Sequence, residues 1–279
     1  MLSLSKHEGA KRLALNKKTA FAIAILLALA GVGWFAWPLL NPPPPPKPKP
    51  LFADWAAMIV AGDSHTHSGA DSMVFDNARR DLAKAFVGMG FQPANIAQFS
   101  AIADKFPHEA VQPAAEEPIT TGLAAVTQRA RAGCLIYLTS HGAEDGIVIG
   151  DRIVDPAPIA DLIGQECGAR PTVVIVSACF SGIFVPALEG PRRIVFTASR
   201  SDRTSFGCGE EDRYTFFDAC VLGVIGKVAS FPALAERTRT CVAAREAQMN
   251  AEARKAHEEP DPPSEPQFVM DPALAGLRW

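Results

Sequence analysis

Two short apolar runs, each ending in a reactive side chain beside glycine, constrain this chain more than any other feature. Residues 135–140 (Leu135, Ile136, Tyr137, Leu138, Thr139, Ser140) lead into His141 and Gly142. Residues 172–178, rich in valine and isoleucine, lead into Cys179, Phe180, Ser181 and Gly182. Runs of this length and β-branched content read as strands of a parallel sheet buried on both faces. Each reactive residue then stands where a strand meets a loop, the edge at which open α/β sheets hold ligands and chemistry. A thiol and an imidazole delivered to one sheet edge are the minimum parts of an activated sulfur nucleophile.

The remaining pattern fits one α/β domain over residues 51–257. At 279 residues and 48% hydrophobic content the chain can bury one sizeable core. Residues 55–61 read as a first strand, and a weaker strand lies near 95–99. Helices are expected over residues 73–89, with Asp71 or Ser72 as cap, and over 120–132 and 158–166. Two more are expected over 214–228 and 232–256. The Gly150-Asp151 pair between apolar runs marks a small hairpin at 147–154, and residues 194–198 form a further strand. Alternation of strand and helix gives a mostly parallel sheet flanked by helices. A polar, proline-bearing loop is expected up to Pro118. The tail from 258 to 279, with Pro260, Pro262, Pro263 and Pro266, is expected to be irregular.

Charge separates the first fifty residues from the rest. Of 27 Lys and Arg, five lie in the basic segment 1–18 and two in the linker, against a single acid of 30, Glu8. From Leu51 onward 20 cations face 29 anions, a net of −9, which argues against nucleic-acid binding. Residues 19–40 carry no charge and end in Trp34, Phe35 and Trp37. About 20 apolar residues suffice to cross a bilayer. The cationic flank predicts a single-pass signal-anchor with its amino end in the cytoplasm and the domain outside it. Cleavage near Ala28-Leu29-Ala30, as in a signal peptide, is the alternative. Residues 41–50 form a proline-rich, extended linker. An inner membrane with the domain on its periplasmic side suits this order of segments.

Six cysteines outside the cytoplasm could pair, and with Cys179 kept free at most two disulfides are available. No pairing follows from the sequence, and most of these cysteines are expected as buried core thiols.

Cys179 precedes a Ser-Gly turn at which backbone N–H groups converge, suited to the oxyanion formed when a thiolate adds to an amide. At these residues the chain resembles the legumain family of cysteine peptidases, related to caspases and gingipains. The shared pattern is an apolar strand, His141-Gly142, a hairpin at Gly146-Ile147-Val148-Ile149, a helix, a second apolar strand, and Ala178-Cys179-Phe180-Ser181-Gly182. Weaker likeness extends from 58 to 228, through Thr197-Ala198-Ser199-Arg200 and Ser205-Phe206-Gly207-Cys208. The resemblance implies a caspase-like fold and peptide or protein substrates, with no cofactor. It makes Cys179 the nucleophile, His141 the general acid/base, and the Gly142 and Cys179 amides the oxyanion hole.

Two departures bear on specificity. Ser140 and Ser177 stand where the family has acidic residues, and no arginine matches the one that shapes its primary pocket. His65 or His67 occupies that loop, and Arg79 and Arg80 lie beyond it. Substrate contacts are expected from Ser140, Ser177, Ser199 and Asp218, with Glu210, Glu211 and Asp212 nearby. The alternatives are a non-catalytic envelope scaffold on the same fold, and a metal-dependent hydrolase built on Asp63, His65 and His67.

Overall fold

Seven strands form the central sheet, in the order β10-β9-β8-β4-β1-β2-β3, in a computed structural model that describes residues 50–279 together with residues 16, 18, 21 and 22. The strands are β1 (Trp55–Ala61), β2 (Ile96–Ser100), β3 (Val111–Pro113), β4 (Gly133–Thr139), β8 (Thr172–Ser177), β9 (Arg193–Thr197) and β10 (Gln267–Met270). All neighbours run parallel except β10, which pairs antiparallel with β9. Residues Lys49–Trp279 make up one compact unit. All of the expected anchor at 19–40 except Phe21 and Ala22, and all of the linker at 41–50 except Pro50, lie outside the described residues. Among the described residues no helix is long and apolar enough to cross a membrane.

The central strands read as uninterrupted apolar runs because both faces are covered. Alternate residues Ala57, Ile59, Leu135, Tyr137, Val173 and Ile175 pack on one face against α1 (Val74–Met89), α5 (Phe216–Ile225) and α6 (Phe231–Lys255). Their neighbours Met58, Val60, Ile136, Leu138, Val174 and Val176 pack on the other face. There they meet α2 (Glu116–Arg129), α3 (Pro156–Cys167) and the short α4 (Val185–Leu188). A three-stranded ribbon of β5 (Gly142–Ala143), β6 (Gly146–Ile149) and β7 (Arg152–Val154) stands beside the sheet, turning at Gly150.

Three segments differ from expectation. Helix α2 starts at Glu116, inside the anticipated loop, since Pro118 falls in its first turn, where backbone N–H groups have no intrahelical partner to lose. The same loop also supplies β3, an edge strand of three residues. The tail is not irregular throughout: its prolines end at Pro266, and the next four residues complete the sheet along the open edge of β9. Phe268 there packs edge-on against Phe196, ring centroids 5.9 Å apart.

Cysteine usage also differs. Cys134–Cys167 joins β4 to α3 and Cys220–Cys241 joins α5 to α6, so four of the six are bridged rather than free core thiols. Cys179 and Cys208 are free and partly exposed.

Candidate active site

The register of β4 and β8 brings the two reactive residues to one edge. Thr139 lies opposite Ser177 as the last pair of the ladder, and the Ser140 N–H extends it by donating to the Ser177 carbonyl at 3.1 Å. Two residues further along each chain stand His141 and Cys179. Both line one cleft of about 580 Å³.

The thiol sits in a turn held from behind. Ser199 Oγ donates to the Ala178 carbonyl at 3.1 Å and lies 3.1 Å from the Ser181 N–H, which it accepts, so one buried hydroxyl braces the chain on both sides of Cys179. Phe180 adopts φ 56°, the left-handed region that costs a non-glycine residue about 1 kcal/mol or more. In front, Cys179 Sγ accepts from the Ser205 N–H at 3.3 Å and donates to the Ser205 carbonyl at 3.4 Å. Among the described residues it makes no hydrogen bond to His141.

The imidazole is oriented independently. His141 Nε2 is 3.0 Å from the His65 carbonyl, which can only accept, so Nε2 carries the proton and Nδ1 of the neutral ring is the basic atom. The Phe75 ring meets it edge-on at 5.1 Å.

Gly142 explains its own identity. A Cβ there would lie 2.0 Å from the Cys179 carbonyl oxygen and 2.9 Å from its nitrogen, so only glycine lets the two backbones approach. The Val148 N–H donates to the His141 carbonyl at 2.9 Å. Gly142 and Ile147 are therefore the ladder pair that exchanges no hydrogen bonds, and the Gly142 N–H is directed away from β6. Among the described residues the Cys179 N–H has no backbone acceptor.

The four expected substrate contacts do not line the cleft. Ser140, Ser177, Ser199 and Asp218 are all buried. Ser199 supports the Cys179 turn as described, Ser177 Oγ lies 3.3 Å from Thr215 Oγ1, and the Ser140 hydroxyl has no partner among the described residues. Asp218, fully buried, accepts hydrogen bonds from Tyr137 and Thr139 of β4, each at 2.6 Å. Burial pushes its carboxyl above the usual range, against the lowering effect of those hydroxyls. Burial, and then the Asp218 charge, raises the Tyr137 phenol as well.

The helix arginines turn elsewhere: Arg79, fully buried, bonds Asp76 and Gln98, and Arg80 pairs with Glu109. His65 pairs with Asp63 at 2.8 Å, while His67 lines the cleft. Among the described residues no group of three or more His, Cys, Asp or Glu side chains is arranged to hold a metal ion.

Other walls of the cleft come from the irregular segment 204–212, from Met249 on α6 and from Asp261 in the tail. Of these only the neighbourhood of Ser205 and of Asp212 carries a sequence signal. Met249 and Asp261 carry none, for they reach the cleft through the long α6 and the chain that folds back along it.

A strand-end cysteine and histidine thus stand beside a glycine-lined backbone at one edge of a mostly parallel sheet, in a caspase-like fold. Residues 111–229 match the model of the Peptidase C13 family. Among solved structures the chain is similar to caspase-1 from Spodoptera frugiperda, with a TM-score of 0.56 and 13% identity, covering 78% of this chain and 87% of that one. No curated protein is similar enough to this chain to count as a relative. The match over residues 111–229 and the likeness of fold together indicate a cysteine-type peptidase.

Proposed function

We propose that this protein is an endopeptidase in which Cys179 and His141 act as a dyad. The cleft binds an extended peptide, and the Cys179 sulfur, having lost its proton to the imidazole, adds to the scissile carbonyl. The N–H groups of Gly142 and Cys179 receive the oxyanion. His141 returns the proton to the leaving amine, giving an acyl-thioester, and then takes a proton from the water that hydrolyses it. The Sγ–H must turn from the Ser205 carbonyl toward the imidazole for this sequence to begin.

The observation that carries this reading is the side-by-side ending of β4 and β8 over one cleft. The uncharged run at 19–40, with basic residues before it and a proline-rich spacer after it, supports single-pass attachment to the cell membrane with the cleft on the extracytoplasmic side.

The test uses a thiol-reactive peptide electrophile together with turnover of a peptide library. Cys179→Ala is expected to lose labelling and to cut turnover by about four orders of magnitude or more. His141→Ala should retain slow labelling, with its pH dependence moved toward that of a free thiol. Labelling undiminished in Cys179→Ala sinks the assignment.

A further inference from the structure

Six cysteines resolve into two bridges and two free thiols, and both free thiols line the same cleft. Cys208 lies three residues beyond Ser205, the residue whose backbone N–H and carbonyl hold Cys179 Sγ. The segment between them contains Gly207 at φ 91°, and Gly209 follows. Residues 198–215 lie outside any helix or strand, and the Cys208 side chain packs beside Ala61, Val74 and Phe75 where it lines the cleft with Cys179. Its backbone is tethered to the cleft by the His67 N–H, which donates to the Cys208 carbonyl at 3.4 Å.

We infer that Cys208 is a resolving thiol that forms a reversible disulfide with Cys179 under oxidation, closing the peptidase site. The inference rests on Cys179 as the reactive thiol of this cleft. With hydrogen peroxide as oxidant, the Cys179 sulfur attacks one peroxide oxygen, the O–O bond breaks, and one water leaves, giving a sulfenic acid. The Cys208 sulfur then attacks the Cys179 sulfur. The hydroxyl departs with the Cys208 proton as a second water, and the S–S bond forms. Two thiols are oxidised and one peroxide is reduced. A thiol reductant reverses the step by exchange.

The electrostatics suit this order of events. Burial, ahead of the neighbouring Cys179 and Asp212 charges, holds the Cys208 thiol above its usual range. It is therefore the poorer first target for peroxide, and it loses its proton as it attacks. The Cys134–Cys167 bridge is fully buried and the Cys220–Cys241 bridge is buried at Cys220 and partly buried at Cys241, so mild reduction is expected to reach the cleft pair first.

The full chain in detergent is treated with peroxide, alkylated, and digested without reduction. The expected product is a Cys179–Cys208 linked peptide, two hydrogens lighter than the sum of its parts, with loss of electrophile labelling that dithiothreitol restores. Cys208→Ser and Cys208→Ala should give no linked peptide, and their Cys179 should advance to the sulfinic acid, which dithiothreitol does not reverse. Absence of the linked peptide in the wild type, or equal recovery in the Cys208 variants, overturns the inference. The peptide is read by mass whether or not the chain turns over substrate, so failure of the dyad would register separately, in untreated protein.

Discussion

Asp218 is the clearest case of a residue whose place in the fold sets its chemistry. Its carboxyl receives Tyr137 and Thr139 from β4, while its own N–H donates to Thr215 Oγ1, the cap of α5, at 3.0 Å. Thr215 in turn touches Ser177 of β8. One buried acid thus ties the two strands that end at His141 and Cys179 to the helix behind them. Burial raises its carboxyl, so the folded state holds a proton that the unfolded chain releases. The sign follows from linkage: this contribution is fully present below the ordinary carboxylate range near 3.9 and is lost as pH rises through the higher folded value. Asp218→Asn, which keeps the shape and cannot ionise, should flatten that fall, so urea midpoints for variant and wild type converge in acid and separate above it. Asp218→Leu should instead lose about 2–5 kcal/mol at every pH, since two buried hydroxyls are left unpaired. Parallel pH profiles for Asp218→Asn and wild type would refute the buried-acid account.

The elements show how far local pattern reaches. β1, β4, β8 and β9 are legible in the sequence to within two residues, because burial on both faces leaves an apolar run with no polar interruption. β3 and β10 are not, for three or four residues at a sheet edge are too short to display a period and are defined by the neighbour they find. The same division applies to the cleft. His141 and Cys179 are legible because each adjoins its strand in the chain, whereas Met249 and Asp261 arrive from an amphipathic helix and a proline-rich turn. Ser140, Ser177 and Ser199 adjoin the same strands in the chain, but they are buried behind the residues that line the cleft. For β10 the energetic weight lies in Phe268 against Phe196 and in the pairing that closes the β9 edge. Phe268→Ala should cost about 1–2 kcal/mol for a half-buried ring. Ending the chain after Pro266 should cost more, since it also frees the β9 edge and removes Trp279 from Phe52 and Phe231. An open parallel-sheet edge recruits other chains, so the truncated protein should form aggregates that bind amyloid dyes. A monodisperse, equally stable truncation would show that β10 is dispensable.

At the scale of the whole molecule, the described residues that line the cleft all fall within the compact unit Lys49–Trp279. The proposed anchor and the proposed chemistry are therefore expected to be separable. From Leu51 onward the chain carries a net charge of −9, which an anionic bilayer surface repels. Once the apolar run is removed, no electrostatic attraction holds the domain at the membrane. A chain beginning at Lys49 should accordingly appear in the soluble fraction, with unchanged turnover of short peptides and an unchanged thermal midpoint. The full chain should sediment with membranes, resist alkaline carbonate, and release only into detergent. In intact cells made permeable at the outer surface alone, an added protease should digest the domain while leaving the basic amino-terminal segment protected, as the placement of the cationic flank requires. Retention of the Lys49 chain on membranes would mean that the domain itself binds lipid or a membrane partner. Release of the full chain by carbonate would mean that residues 19–40 do not span the bilayer.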